Sequence, residues 1–254
     1  MVVPDIGFSE KIALVTGGSR GLGKDIALSM AKKGASVLIC SRKEENLNKA
    51  AEEFRSLGLN LTTVTANVGR SEDVQVLLNE VENRFGRLDL LINNVGMNIF
   101  TPSVADTDEA LWDKIIDTNL KSVFLVSSYA SRLMKNSGGG KIVNISSIAA
   151  QKASSGMGIY CTAKAGVEML TRVLAVELAP YHINVNAVAP GIMKTKFSEP
   201  LWGSDELLGE VLKTIPLGAI AETSDVVGTV LFLSSDLSNF ITGETITVDG
   251  GTMA

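Results

Sequence analysis

The stretch "KIALVTGGSRGLGKDIALSMAKKG", residues 11–34, passes from an apolar run, through a glycine-rich turn, into an amphipathic helical pattern. An unbroken apolar run, rather than an alternating one, reads as a strand buried on both faces. Gly17, Gly21 and Gly23 fall at the strand end and the helix start. Without side chains there, backbone N–H groups can approach a phosphate, and the helix dipole favours its negative charge. The spacing is Gly-x3-Gly-x-Gly, not the Gly-x-Gly-x-x-Gly of the usual dinucleotide fingerprint. A tight turn alone also asks for glycine. The position between strand and helix is what gives the cluster its meaning.

The same alternation recurs outward from this unit. "ASVLICS" leads to "KEENLNKAAEEFRSLG", "LNLTTVTANV" to "SEDVQVLLNEVENRFG", and "RLDLLINNVG" to a helical region ending near Lys135. "GGKIVNISS" precedes a helix beginning near residue 158, and "INVNAVAPG" precedes a longer loop and helix. "VVGTVLFLSS" reads as a helix and "ETITVDGG" as a last strand. Apolar strands separated by helices predict a parallel sheet covered on both faces, and right-handed crossovers make it doubly wound. The expectation is an α/β, Rossmann-type, seven-stranded parallel sheet, a single domain over residues 1–254.

Bulk properties narrow the function. The net charge of −5 offers no broad positive field for nucleic acid. No run approaches the roughly 18 apolar residues of a membrane span. The start "MVVPDIGFSEK" lacks the blocks of a signal peptide, and the end "GGTMA" is no peroxisomal address, so the expected compartment is the cytoplasm. Two cysteines, Cys40 and Cys161, and one histidine, His182, supply neither a disulfide framework nor the four ligands of a structural metal site. His182 sits beside a strand and reads as structural, and Cys161 reads as packed rather than reactive.

The second strand ends "ICSRKEE", with Ser41 and Arg42 where an acidic residue would bind an adenosine ribose 2′-OH. Arg20 in the glycine loop is a second guanidinium able to reach the same region. Two planar forks and a missing acid predict NADP(H) in preference to NAD(H), which stays possible. Glu44 and Glu45 fit the next helix. In "GIYCTAKAG", residues 158–166, Tyr160 stands four residues before Lys164, so the two share a helical face. A free tyrosine titrates near pH 10, and a neighbouring cation is expected to bring it down toward neutrality.

Taken together, "TGGSRGLG" (16–23), "NNVG" (93–96), "TNL" with Asn119, "NISS" (144–147), Tyr160-x3-Lys164, "APG" (189–191) and "ITGETITVDGG" (241–251) resemble the short-chain dehydrogenases/reductases over the whole chain. The stretches "SRKEEN", "ANVGRSED", "LWDKIIDTN" and "APGIMKTKFSEPLW" look most like an NADP(H)-dependent carbonyl and retinal reductase subgroup, with bacterial sugar, alcohol and 3-oxoacyl reductases nearly as close. The resemblance implies a catalytic set of Asn119, Ser147, Tyr160 and Lys164. Tyr160 would donate its proton to a carbonyl oxygen, Ser147 would orient that oxygen, Lys164 would also hold the nicotinamide ribose, and Asn119 would hold a water in a proton relay. It also implies cofactor contacts from Gly17, Ser19, Arg20, Gly21, Leu22 and Gly23, from Ser41 and Arg42, and from Asn67 and Val68. Asn94, Val95 and Gly96, Tyr160 and Lys164, and Pro190, Gly191, Met193 and Thr195 complete that surface. No metal is implied.

Three positions depart from the family pattern: Val95 for alanine, Asn67 for aspartate, and Met193 for isoleucine or valine. The segment 193–218, with Phe197, Leu201 and Trp202, is expected to form a lid over an apolar pocket, because long loops at strand carboxyl ends carry binding functions. A homotetramer pairing helices near 108–135 and 158–179 is a further implication of the resemblance. The expected partner is a small carbonyl or alcohol substrate, with neither nucleic acid nor membrane. The competing readings are 3-oxoacyl reduction on a carrier protein or coenzyme A, with Lys194, Lys196 and Lys213 as a candidate basic patch, and a non-catalytic nucleotide-binding regulator. Sugar-nucleotide epimerisation would need a second domain.

Overall fold

The computed structural model describes residues 6–196, 198, 199 and 202–254. Strands β1 (Ile12–Thr16), β2 (Ser36–Ser41), β3 (Leu61–Thr65), β4 (Leu90–Asn93), β5 (Gly140–Ile145), β6 (Ile183–Pro190) and β7 (Thr245–Val248) form one sheet in the order β3-β2-β1-β4-β5-β6-β7. Every pairing is parallel. All seven carboxyl ends therefore lie on one edge. The order reverses between β1 and β4, which places a crevice beside the glycine loop.

Helices α1 (Gly21–Lys32), α2 (Glu44–Ser56) and α8 (Thr223–Ser234) cover one face. The other carries α3 (Ser71–Phe85), α5 (Ser122–Asn136) and α6 (Gly158–Leu178). The strand residues show why. In β1, Ala13 and Val15 join the core containing Ile26, Met30, Phe54 and Val230, whereas Ile12 and Leu14 join the one containing Leu77, Val81, Met134 and Leu178. A strand apolar at every position needs helices on both sides. The edge strand β3, "LTTVT", is only partly buried.

Helices α4 (Glu109–Ile116) and α7 (Asp205–Lys213) are the remaining α-helices among the described residues. Asp108 caps α4 by accepting from Leu111 N at 2.8 Å. The helical region expected through Lys135 is interrupted between α4 and α5 by a π-helical turn at Asp117–Lys121. Asn119 sits in that turn. Among the described residues, no helix is long and apolar enough to cross a membrane.

Candidate active site

The glycine loop is built to keep side chains out. Gly17 has φ +65° and its N–H donates to Cys40 O at 2.9 Å, which joins the loop to the end of β2. A Cβ on Gly23 would lie 2.3 Å from Asn94 Nδ2 and 2.6 Å from Gly17 O. Asn94 locks the crevice by donating from Nδ2 to Thr16 O and Gly17 O at 3.1 and 3.3 Å. Thr16 Oγ1 accepts from Asn94 N at 3.0 Å and Val95 N at 3.3 Å, so one hydroxyl pins the start of the β4–α4 loop. The extra methyls of Val95 face Gly17, with Cγ2 3.1 Å from where a Cβ would stand there.

Arg20, exposed, caps α1 with extended backbone, and Arg42 is exposed just past β2. Neither makes an ion pair among the described residues. Ser41 and Ser19 are half-buried at the same edge. Glu44 and Glu45 begin α2, and Glu45 pairs with Lys49 along that helix. A bare-backbone turn at the start of a twelve-residue helix, with guanidinium groups beside it, fits the phosphates of a dinucleotide.

Three expected contacts are narrower than the sequence implied. Leu22 and Val68 are 6% and 4% exposed and face the cores, leaving only their backbones for a ligand. Asn67 spends its Oδ1 on Gly69 N at 3.1 Å, while its own N–H donates to Asp73 Oδ2 at 2.8 Å. Its Nδ2 is what remains for an adenine edge.

Tyr160 and Lys164 lie on the first two turns of α6, and both are buried. The Tyr160 phenol is hydrogen-bonded to Ser147, the hydroxyl at the end of the β5 segment. Ser147 Oγ also accepts from Ala149 N at 3.2 Å. Lys164 Nζ donates to Ile145 O at 2.8 Å and stands 5.7 Å from the Tyr160 ring centroid. Asn119 donates from Nδ2 to Met97 O and Ile115 O, both at 2.8 Å, and accepts from Met97 N at 3.0 Å. Gly96 closes the group: a Cβ there would stand 3.2 Å from Asn119 Oδ1 and 3.6 Å from Lys164 Nζ. The four side chains therefore surround one spot at the carboxyl edge of the sheet.

Electrostatics correct one expectation. Burial pushes the Tyr160 phenol up to about 12, opposed by the Ser147 hydrogen bond. Burial also pushes Lys164 down to about 8. The expected lowering of Tyr160 by its neighbour is absent because the ammonium is directed at a backbone carbonyl rather than at the phenol oxygen. Desolvation then decides the phenol's titration.

Beyond β6, Pro190 is buried and Gly191 N donates to Val248 O at 2.9 Å. Met193 forms a parallel bridge with Ala221 and packs against the core. Thr195 N donates to Ser198 Oγ at 3.3 Å, Trp202 Nε1 donates to the same oxygen at 3.0 Å, and that hydroxyl donates to Met193 O. Ser198 thus ties the candidate lid together, a role that a lone serine in a polar stretch did not signal. Phe197 and Leu201, expected lid residues, lie outside the described residues. His182 ends at the opposite, amino-terminal edge of β6 with φ 58°, and its carbonyl accepts from Gly140 N at 3.2 Å. Cys161 packs against the cluster of Ile115, Ala149, Ile159 and Tyr160, whereas Cys40 is buried and pushed up to about 12.

A cradle for a dinucleotide and a proton-bearing phenol, set on one sheet edge, define an oxidoreductase that works with a nicotinamide cofactor. The family model described as enoyl-(acyl carrier protein) reductase matches residues 17–253. The chain is 38% identical over 244 residues to human dehydrogenase/reductase SDR family member 4, covering 96% of this chain and 88% of that one. It is 40% identical to a 3-oxoacyl-(acyl-carrier-protein) reductase of Staphylococcus aureus, covering 95% and 97%. The structure of a gluconate 5-dehydrogenase from Burkholderia cenocepacia, in complex with NADP and tartrate, superposes with a TM-score of 0.93 at 31% identity, covering 97% and 96%. The chain belongs to the short-chain dehydrogenase/reductase family.

Proposed function

We propose that this protein is an NADP(H)-preferring reductase of ketones or aldehydes, reversible toward the corresponding alcohols, with Tyr160 as its acid and base. The observation that carries the reading is the Tyr160–Ser147 hydrogen bond, with Lys164 and Asn119 gathered around Gly96 beside it. Bound cofactor supplies hydride at the nicotinamide C4. The protein's own residues supply the proton and hold the carbonyl.

A phenol pushed up to about 12 is protonated at neutral pH, the state a donor needs. As charge develops on the carbonyl oxygen, Tyr160 hands over its proton and the Ser147 hydroxyl donates a hydrogen bond to the same oxygen. The phenolate left behind is reprotonated with Lys164, whose Nζ stands 5.7 Å from the ring centroid, as the neighbouring proton source. Asn119 spends both amide protons on Met97 and Ile115, so it acts first as a strut holding the β4–α4 loop against Lys164. Oδ1 keeps one acceptor position for a relayed proton. In the oxidative direction the same phenol is the base.

Arg20 and Arg42 are the residues we assign to the 2′-phosphate, supported by their exposure and lack of ion-pair partners among the described residues. Segment 193–218 serves as the substrate lid, supported by its Ser198 anchor. A homotetramer fits the apolar side chains left exposed on α5 and α6, Phe124, Met169 and Val176 among them. A cytoplasmic setting fits two free thiols.

The second reading, 3-oxoacyl thioester reduction, is favoured by the 40% identity to the staphylococcal reductase. Its basic patch is weaker than expected, since Lys194 faces Glu222 at 3.8 Å and Lys213 is held by Glu210. Turnover of a ketone, aldehyde and acetoacetyl-thioester panel with NADPH separates the two. Simple carbonyl turnover well above thioester turnover supports the first reading, and the reverse order replaces it with the second.

A further inference from the structure

Glu168 lies one helical turn beyond Lys164 on α6 and is 5% exposed. A carboxylate this deeply buried needs donors, or its desolvation is uncompensated. Its Oε1 accepts from Ser146 Oγ at 3.2 Å and from Gln151 Nε2 at 3.2 Å. Gln151 Nε2 also reaches Oε2 at 3.5 Å, and Arg172 stands 3.9 Å from that oxygen. Ser146 immediately precedes Ser147, and Gln151 follows it by one short helical turn (Ile148–Ala150). One carboxylate therefore fastens both flanks of the segment that carries Ser147.

The attachment has a geometric consequence. The carboxylate belongs to α6, the helix that also carries Tyr160 and Lys164. A bond from α6 to each side of Ser147 fixes the serine relative to the tyrosine rather than merely to the sheet. We propose that Glu168 is a positioning residue that holds the Ser147 hydroxyl at Tyr160. The proposal rests on the reading of Ser147 as the group that orients the carbonyl oxygen. Misplacing such a group by about 1 Å can cost on the order of 10²-fold in rate.

The test is a cycle of E168L and S147A read by single-turnover reduction with NADPH. E168L in the wild-type background is expected to lower the rate about 10-fold or more while NADPH affinity stays within about twofold, and E168Q, which keeps the Oε1 acceptor, recovers most of the loss. In the S147A background the same E168L change is expected to cost less than about twofold, because the group it positions is already gone. An equal loss in both backgrounds, or a wild-type rate in E168L, overturns the proposal. If E168L does not fold, Q151L removes one fastening from the exposed side and is read in the same two backgrounds with the same criteria. Undiminished turnover in S147A alone would instead defeat the underlying reading of the site.

Discussion

Lys164 stands one helical turn beyond Tyr160, yet its ammonium donates to Ile145 O at 2.8 Å and lies 5.7 Å from the phenol ring centroid. The pair is thus a buried donor and a buried cation side by side, each perturbed by desolvation. Tyr160 is driven to hold its proton and Lys164 to release its own.

This arrangement predicts an asymmetric pH profile. Over the neutral and mildly alkaline range Tyr160, at about 12, stays protonated, whereas Lys164, at about 8, loses its charge. The reductive rate is expected to fall as pH rises through about 8, following the lysine. A rate flat to pH 10 would remove Lys164 from the account.

The same burial predicts a trade of stability against activity. Keeping an ammonium whose pKa is pushed from 10.5 to about 8 costs the folded state about 3 kcal/mol at neutral pH. Between pH 8 and 10.5 the unfolded lysine is protonated while the folded one is not, so this cost fades as pH rises across that window. Tyr160 acts oppositely between 10 and 12, where the folded chain alone keeps the proton. Lys164→Met relieves the cost but orphans the Ile145 carbonyl, worth about 1–2 kcal/mol. A net gain of about 1–2 kcal/mol in denaturant unfolding at pH 7, with turnover lost, is expected.

Much of this was legible in the chain. The central strands announced themselves because they are apolar on both faces, as Ile12–Val15 illustrate, and the glycine loop announced itself by its position between a strand and a helix. The geometry of the site was less legible. "TNL" carries no mark of a π-helical turn, since nothing in its composition interrupts the amphipathic run. The spacing of Tyr160 and Lys164 fixed their shared face but not where the ammonium points, because a flexible lysine follows the nearest buried acceptor. Glu168 and Ser198 looked like ordinary polar residues, and only the packing of distant segments gave them partners.

Cofactor preference rests on the guanidinium groups. Arg42→Ala is expected to weaken NADPH binding about tenfold or more while NADH binding changes less than about twofold, since a bidentate contact to phosphate is lost only for the former. Fluorescence titration of both nucleotides against both proteins decides it. Equal losses would move the 2′-phosphate away from Arg42.

The glycine loop tolerates no added carbon at its closest point. Gly23→Ala would place a methyl 2.3 Å from Asn94 Nδ2 and 2.6 Å from a backbone oxygen, so the loop must shift. Overpacking of this kind costs about 1–3 kcal/mol. A lower unfolding midpoint together with at least tenfold weaker binding of both nucleotides is expected, and unchanged binding would argue against phosphate contact at this turn.

The most direct measurement compares wild type and Tyr160→Phe for NADPH binding and for NADPH oxidation with the carbonyl panel. Equal binding is expected, because the phenol oxygen is not needed to hold the nucleotide's phosphates, together with a loss of about 10²–10⁴ in carbonyl turnover with the acid removed. Retention of wild-type turnover by the phenylalanine variant would contradict the claim that Tyr160 supplies the proton.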